Sequence, residues 1–112
     1  MVPLSKDALM AKGEKVYGTS CALCHQKNGE GMPPAFPALK GSAIATGPVA
    51  DNINIVVHGK KGTAMQAFGE QLDNEQLAAV ITYVRNAWGN DAINEKNKQT
   101  LLVQPRDVEK AK

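Results

Sequence analysis

The stretch Cys21-Ala22-Leu23-Cys24-His25 decides the fold of this chain of 112 residues. Two cysteines are separated by two residues, and a histidine follows the second one directly. This C-x-x-C-H pattern is typical of c-type haem attachment. Thiols at this spacing can reach the two vinyl groups of one porphyrin, and the adjacent imidazole is then held under the iron as its proximal ligand. The sequence predicts one haem c, bound covalently through Cys21 and Cys24, with His25 on the iron.

Three other uses of a cysteine pair fit these residues less well. A thioredoxin-like motif follows a strand in a βαβ unit, whereas a helical pattern precedes Cys21 and no segment of the sequence predicts a strand. A structural zinc site needs four ligands with free geometry. The chain has only two Cys and two His, and His25 directly follows Cys24. A plain disulfide would leave His25 without a role.

The composition suits one small domain that packs around an apolar group supplied from outside. The apolar share is 43%, but the aromatic share is only 4%, and domains of this length often need a cofactor, a metal or a disulfide to fold. The net charge of +2 comes from 13 basic and 11 acidic residues. Such a mild charge argues against nucleic acid, whose phosphates call for dense Lys and Arg patches.

The sequence shows neither a membrane span nor a signal peptide. No apolar run approaches the roughly 18 residues that a span requires, and residues 1–5 have no basic start or apolar core. Haem attachment of this type takes place outside the cytoplasmic membrane. We therefore expect the chain to be a processed product or a piece of a longer protein.

Apolar periodicity and capping residues predict an all-α chain. The first predicted helix is 6–19, after an N-cap at Ser5, and the second is 49–58, before Gly59. The third runs from 74 to about 88; a capping box at Asp73 and Gln76 begins it and Gly89 ends it. A short fourth helix is predicted at 94–100. Residues 1–92 are predicted to form the domain, and 93–112 a polar C-terminal extension, either a short helix or a tail. Within it, 101–103 could pack back on the domain, and 105–112 are interpreted as a charged tail or linker.

The second axial ligand is expected among four methionines, at positions 1, 10, 32 and 65. Met65 fits best, because it lies in the 59–69 loop, far enough after His25 for the chain to pass round a porphyrin. Met32 is too close to His25 to cross to the other face. The alternatives are that Met65 only fills a gap in the core, or that His58 binds the iron instead.

With these residues placed, the chain resembles the class I cytochromes c, in which three to five helices surround one covalent haem. The resemblance covers residues 13 to about 90 and rests on Gly13, Tyr17 and Cys21 in the first helix and on Val80, Ile81, Tyr83 and Val84 in the last long helix. It implies that the Pro37 carbonyl accepts a hydrogen bond from Nδ1 of His25, which fixes the ring and raises its basicity. It also implies that Leu39 lines the haem pocket and that Met65 is the axial methionine.

A closer resemblance is to the cytochrome c domain fused to subunit II of some bacterial haem-copper oxidases. It rests on residues 31–42, 62–69 and 82–90, and on Gln66, which stands where many small diffusible cytochromes have proline. It implies an electron donor, either a cytochrome c or a quinol–cytochrome c reductase, and a binuclear copper centre as the acceptor. It also implies a place on the periplasmic side of the cytoplasmic membrane.

The predicted activity is electron transfer between ferric and ferrous iron, without catalysis by the domain itself. An apolar wall is expected to keep water from the iron; its candidates are Leu39, Ile53, Val57, Phe68, Ile81 and Trp88. Electrons are expected to cross near Cys21, Ala22 and Leu23. Lys60 and Lys61 form either a solvated loop or a docking rim for an acidic partner. The alternatives are a free periplasmic carrier and a ligand-binding or peroxidase-like haem protein.

Overall fold

A computed structural model describes residues 3–112; the candidate ligand Met1 lies outside this range. Within these residues all regular structure is helical apart from one isolated bridge between Met32 and Phe36, which confirms the all-α prediction. The helices are α1 Lys6–Ser20, α2 Ala22–His25, α3 Val49–His58, α4 Asn74–Asn86, a 3-10 turn Ala87–Gly89, α5 Asn90–Lys96 and α6 Pro105–Ala111. No helix in the described part of the chain has the length and apolar character needed to cross a bilayer.

The predicted capping residues set the helix ends. The Ser5 side chain accepts a hydrogen bond from the Ala8 amide at 3.1 Å, which begins α1. Asp73 accepts from the Gln76 amide at 2.7 Å, and the Gln76 side chain accepts from the Asp73 amide at 3.0 Å. This reciprocal pair is the predicted capping box, and it satisfies two amides that have no partner within the helix. Gly59 ends α3 with a φ of 74°, a backbone conformation that favours glycine.

The core forms where α1 crosses α4. Gly13 permits the close approach, because a Cβ at this position would overlap the Ala79 carbonyl and the Tyr83 side chain. Tyr17 packs beside this crossing, with its ring centroid 5.5 Å from that of Tyr83. The buried residues of this core are Leu9, Val16, Tyr17, Ile53, Val57, Phe68, Leu77, Ala78, Ala79, Val80, Ile81, Val84, Val103 and Val108.

The interpretation of residues 105–112 as a charged tail or linker was wrong. Pro105 opens α6, where its fixed φ suits the first helical position, and Val108 has no exposed surface. The segment before α6 also docks, because the Thr82 hydroxyl accepts from the Val103 amide at 2.9 Å and donates to its carbonyl at 3.2 Å. The packing expected of 101–103 is thus confirmed. The domain boundary predicted after residue 92 falls inside α5.

The predicted bounds of α4 and α5 also need correction. α4 ends at Asn86, two residues early, because Trp88 turns into the left-handed region with a φ of 55°. Gly89, expected as the helix stop, follows with a φ of 86° and immediately precedes α5. The short helix predicted over 94–100 therefore begins earlier, at Asn90, and ends at Lys96.

Candidate haem-binding site

The C-x-x-C-H residues lie on a single helical turn that continues from α1. The Cys21 amide still donates to the Tyr17 carbonyl at 2.9 Å, and the Cys21 carbonyl accepts from the His25 amide at 3.0 Å. Both cysteines are free thiols, and each is partly buried. Burial, with a smaller contribution from Cys24, raises the pKa of Cys21 to about 11. A thiol of this kind is protonated and weakly nucleophilic at neutral pH, unlike the activated cysteine of a thioredoxin-like motif.

The imidazole of His25 is oriented by Pro37. Its Nδ1 lies 2.9 Å from the Pro37 carbonyl oxygen. A carbonyl can only accept, so Nδ1 carries the proton and the lone pair is on Nε2. This is the arrangement in which a histidine binds a metal through Nε2 while a backbone carbonyl fixes its tautomer.

The residues between His25 and Pro37 are folded back on themselves, and we call residues 26–41 the proximal loop. The Gly31 amide donates to the His25 carbonyl at 2.9 Å, and the Leu39 amide donates to the Gly29 carbonyl at 2.7 Å. Met32 and Phe36 exchange two backbone hydrogen bonds, of 2.8 and 3.0 Å. These bonds close the loop, so Pro37 returns to His25 although twelve residues separate them.

Met65 lies in a second loop, residues 59–69, which folds back on α3. The Phe68 amide donates to the Val56 carbonyl at 2.9 Å, and the Met65 carbonyl accepts from the Lys60 amide at 3.1 Å. A Cβ at Gly59 would lie 2.9 Å from the Met65 carbonyl oxygen, so only glycine leaves room for this approach. The Met65 side chain is partly buried and packs against the core.

The structure brings most of the predicted pocket residues to one apolar cluster. Phe68, Ile53, Val57 and Ile81 belong to the buried core, and Cys21, Leu39, Met65 and Trp88 are partly buried against it. The competing methionine Met32 lies outside the cluster with 50% of its surface exposed. Leu23, in the predicted electron-transfer patch, is 88% exposed. Lys60 and Lys61 are both exposed.

The rival ligand His58 has another partner. Its Nε2 lies 2.8 Å from the Ala111 carbonyl at the end of α6. Since that carbonyl can only accept, Nε2 is a donor and holds the proton. His58 therefore bonds to the C-terminal helix and lies outside the apolar cluster that contains Met65.

Two residues that contact the proximal loop were not found from the sequence in this role. Asn90 is fully buried and bonds to the loop at Leu39 and Gly41. Trp88, expected only as part of an apolar wall, donates from its indole Nε1 to the Lys27 carbonyl at 3.1 Å. The positive φ of Trp88 and the buried asparagine depend on contacts across the fold, and the sequence carries no local signal for either.

These residues fit a covalent haem better than the competing sites. The thiols are unpaired, the His25 tautomer leaves Nε2 for a metal, and the neighbouring side chains are apolar. Among residues 3–112, no three His, Cys, Asp or Glu side chains come together as a metal-ion site, so the zinc alternative lacks a ligand set.

Comparison with known proteins identifies the family. The family model described as "Cytochrome C oxidase, cbb3-type, subunit III" matches residues 8–84, more than half of the chain. Cytochrome c-552 of Thermus thermophilus is 35% identical over an alignment of 94 residues; the match covers 71% of this chain and 70% of that protein. Cytochrome c6 of Cladophora glomerata is 35% identical over an alignment of 92 residues; the match covers 79% of this chain and 94% of that protein.

Several relatives are much longer than this chain. The cytochrome c subunit of the quinone alcohol dehydrogenase of Gluconacetobacter polyoxogenes is 30% identical over 90 residues, and the match spans only 19% of that subunit. These similarities agree with the C-x-x-C-H motif and with the helical fold. The chain therefore belongs to the cytochrome c family of electron-transfer haem proteins, as a domain that binds haem c covalently.

Proposed function

We propose that this domain is a single-electron carrier in which Cys21 and Cys24 hold the haem and His25 and Met65 bind its iron. The observation that carries the proposal is the hydrogen bond from His25 Nδ1 to the Pro37 carbonyl. This bond leaves the lone pair of Nε2 available to bind a metal. When bound, haem c supplies an iron that exchanges one electron between the ferric and ferrous states. Methionine and histidine together favour electron transfer, since no position remains for a substrate.

The protein's part in this activity is to fix the ligands and exclude water. The proximal loop and Pro37 hold the His25 ring in one orientation. The bonds between the 59–69 loop and α3 restrict Met65. Phe68, which is 7% exposed, and its apolar neighbours exclude water and favour the less charged ferrous state.

The ligand assignment is tested by replacing methionines one at a time in the matured protein. The wild type is expected to show the weak long-wavelength absorption band of a ferric iron–methionine bond. Met65→Ala removes the sulfur ligand and should abolish the band. Met32→Ala is the matched control, because it removes an exposed methionine and should leave the band unchanged. A band that survives in Met65→Ala would contradict the assignment and show that another methionine binds the iron. A haem spectrum without the band in the wild type would instead favour a ligand-binding or peroxidase-like haem protein.

The proposed acceptor is the binuclear copper centre of a haem-copper oxidase, with a cytochrome c or a quinol–cytochrome c reductase as donor. Residues 31–42, 62–69 and 82–90 support it through their resemblance to domains fused to oxidase subunit II. The matching family description also names an oxidase subunit. The CcoP subunit of Azospirillum brasilense, a cbb3-type oxidase subunit, is 32% identical over 92 residues, which make up 31% of its length. This role places the domain on the periplasmic side of the cytoplasmic membrane.

Electrons are proposed to enter or leave near Cys21, Ala22 and Leu23. The exposed side chain of Leu23 supports this patch, because a solvated leucine beside the attachment cysteines is available for an apolar contact. Leu23→Asp should slow electron transfer to a soluble copper domain by about tenfold, since a buried unpaired charge weakens the encounter. Ile93→Asp, at an apolar residue with 36% exposure on α5, is the control. Equal rates in both variants would exclude the patch.

A further inference from the structure

The segment that follows α4 contacts both ends of the proximal loop. Trp88 reaches Lys27 near its start, and Asn90 reaches Leu39 and Gly41 near its end. Pro37 lies between these points and accepts the hydrogen bond from His25. The two contacts therefore fix the two arms of the loop that orients the imidazole.

The Asn90 side-chain amide makes two hydrogen bonds to the loop and one to α4. Its Nδ2 donates to the Leu39 carbonyl at 3.1 Å and to the Val84 carbonyl at 2.7 Å, and its Oδ1 accepts from the Gly41 amide at 2.7 Å. The residue has no exposed surface. The Asn90 amide therefore joins α4 to the end of the proximal loop, and its loss would remove all three hydrogen bonds, including the one to the buried Val84 carbonyl.

Trp88 supports the opposite arm of the loop. Its ring packs against Gly29, where an added Cβ would lie 2.6 Å from the indole. Tyr17 and Tyr83 also pack against the ring, with centroids 5.1 and 5.7 Å away. The left-handed backbone at Trp88 is unusual for a large residue. It is compensated by this packing and by the indole hydrogen bond to Lys27.

We propose that Asn90 and Trp88 are positioning residues that hold the proximal loop so that the Pro37 carbonyl stays on Nδ1 of His25. The inference rests on the proposed function, because it takes His25 as an iron ligand. Neither residue touches the His25 ring through the contacts described above. Both act through the backbone of residues 27–41, and they keep the ligand orientation the same in the two oxidation states.

The chain offers a matched control for Asn90. Asn94 is also fully buried on α5, and its Nδ2 likewise donates to two carbonyls, those of Ala45 and Arg85, at 2.9 Å each. Its contacts lie away from the proximal loop. For Trp88, the conservative variant Trp88→Phe keeps a ring but loses the bond to Lys27. Tyr83→Phe is its control within the same aromatic cluster.

The experiment measures hydrogen exchange by NMR in the reduced, haem-bound protein, at the His25 Nδ1 proton and at the amides of Gly31 and Leu39. Asn90→Ala should speed exchange at all three sites by about tenfold, the effect expected from losing a net hydrogen bond or two. Asn94→Ala should leave these sites near the wild-type rate after correction for global stability. Trp88→Phe should speed exchange at Nδ1 and Gly31, whereas Tyr83→Phe should not.

The outcomes separate this inference from the proposed function. If the wild type gives no iron-bound His25 and no methionine band, the proposed function fails and the inference falls with it. If the wild type gives both but Asn90→Ala matches Asn94→Ala, only the inference is overturned. Faster exchange at the amides with an unchanged Nδ1 proton would also overturn it, since the loop would then move without affecting the ligand. Should Asn90→Ala fail to mature, Trp88→Phe against Tyr83→Phe decides.

Discussion

Arg85 shows how much one buried side chain can organise. It has no exposed surface, and burial lowers the pKa of its guanidinium, although it stays charged at any ordinary pH. Neutral oxygens surround it: the carbonyls of Thr100 at 2.6 Å, Ile44 at 3.2 Å and Gly47, and the side chains of Asn52 at 3.1 Å and Asn94 at 3.4 Å. One residue of α4 thereby joins α3, α5, the 41–48 segment and residue 100.

We expect Arg85→Met to lower the free energy of unfolding by about 3 kcal/mol or more, because several buried acceptors lose their donor at once. Urea titration of the haem-bound protein measures the loss. Arg106→Met, at an exposed position on α6, should change it by less than about 0.5 kcal/mol. Equal effects in the two variants would show that the buried contacts contribute little.

The buried phenol of Tyr17 should make the free energy of unfolding fall at alkaline pH. Burial, with smaller contributions from Cys21 and Tyr83, raises the pKa of its phenol well above its ordinary value of 10.0, and its hydroxyl donates to the Gln26 carbonyl. The folded form therefore keeps this proton when the unfolded chain releases it. The stabilisation is complete below about pH 10 and is lost as the pH rises further, with a slope of up to about 1.4 kcal/mol per pH unit for one proton.

Urea titrations from about pH 9 upward, through the range in which an unfolded tyrosine ionises, should show this slope in the wild type and a shallower one in Tyr17→Phe. The variant should also be less stable at neutral pH, where it lacks the bond to Gln26. The comparison of slopes and not of absolute stabilities is the test. A variant that loses stability as steeply as the wild type above about pH 10 would assign the alkaline transition to another group.

At the scale of elements, the crossing of α1 and α4 depends on a glycine, Gly13, at the point of contact. We expect Gly13→Ala to destabilise the protein by about 1–3 kcal/mol, because the new methyl group would overlap the Ala79 carbonyl and force the helices apart. Gly18→Ala is the control on the same helix, since nothing lies within 4 Å of its added Cβ. That change should raise helix propensity and stabilise by about 0.5–1 kcal/mol. Opposite signs in thermal unfolding would confirm the crossing, and equal signs would contradict it.

The sequence predicted those elements whose signals are local. α3 and α4 have apolar periodicity and caps within a few residues, as at Asp73 and Gln76, so their beginnings were predicted correctly. α6 was missed because it buries little more than Pro105 and Val108 among charged neighbours, and its docking surface comes from distant helices. The turn at Trp88 was missed for the same reason, since Lys27 lies 61 residues away.

In the candidate site, too, local signals could be predicted from the sequence, whereas contacts across the fold could not. The C-x-x-C-H motif and Met65 could be proposed from residue type and spacing, and the bond between His25 and Pro37 from family resemblance. The roles of Asn90 and Arg85 could not, because a buried polar residue is recognisable only once its partners are known. Ligation of the iron by His25 and Met65 stays a prediction until the spectrum is recorded.

At the scale of the molecule, the C-terminal segment folds into the domain and does not trail from it. The radius of gyration is 12.6 Å, close to the roughly 13 Å of a compact domain of 100 residues. α6 packs against α3 and α4, and His58 donates to the Ala111 carbonyl. Since His58 ends α3 where the 59–69 loop begins, the C-terminal helix and the loop of Met65 share one support.

Gln104 joins this C-terminal segment to the opposite end of the described chain. Its Oε1 accepts from the Leu4 amide at 2.9 Å, and its Nε2 donates to the Leu4 carbonyl at 3.0 Å. Residue 4 precedes α1, and residue 104 precedes α6. Because the two bonds close nearly the whole length of the chain, their loss should affect the cooperative unfolding of the molecule and not only its ends.

We expect Gln104→Ala to cost about 1–2 kcal/mol, the net worth of two partly buried hydrogen bonds, and to lower the melting temperature by about 4 °C or more. The Leu4 amide should also exchange faster. Gln71→Ala is the matched control, because the side chain of that exposed glutamine bonds to nearby residues, Gln66 and Ala67, and not across the fold. It should change the stability by less than about 0.5 kcal/mol. If Gln104→Ala speeds exchange at Leu4 without moving the melting temperature, the bond secures the end of the chain alone. A fall in melting temperature beyond that of Gln71→Ala would instead mean that Leu4 and the segment around Gln104 belong to the cooperative unit that contains the haem site.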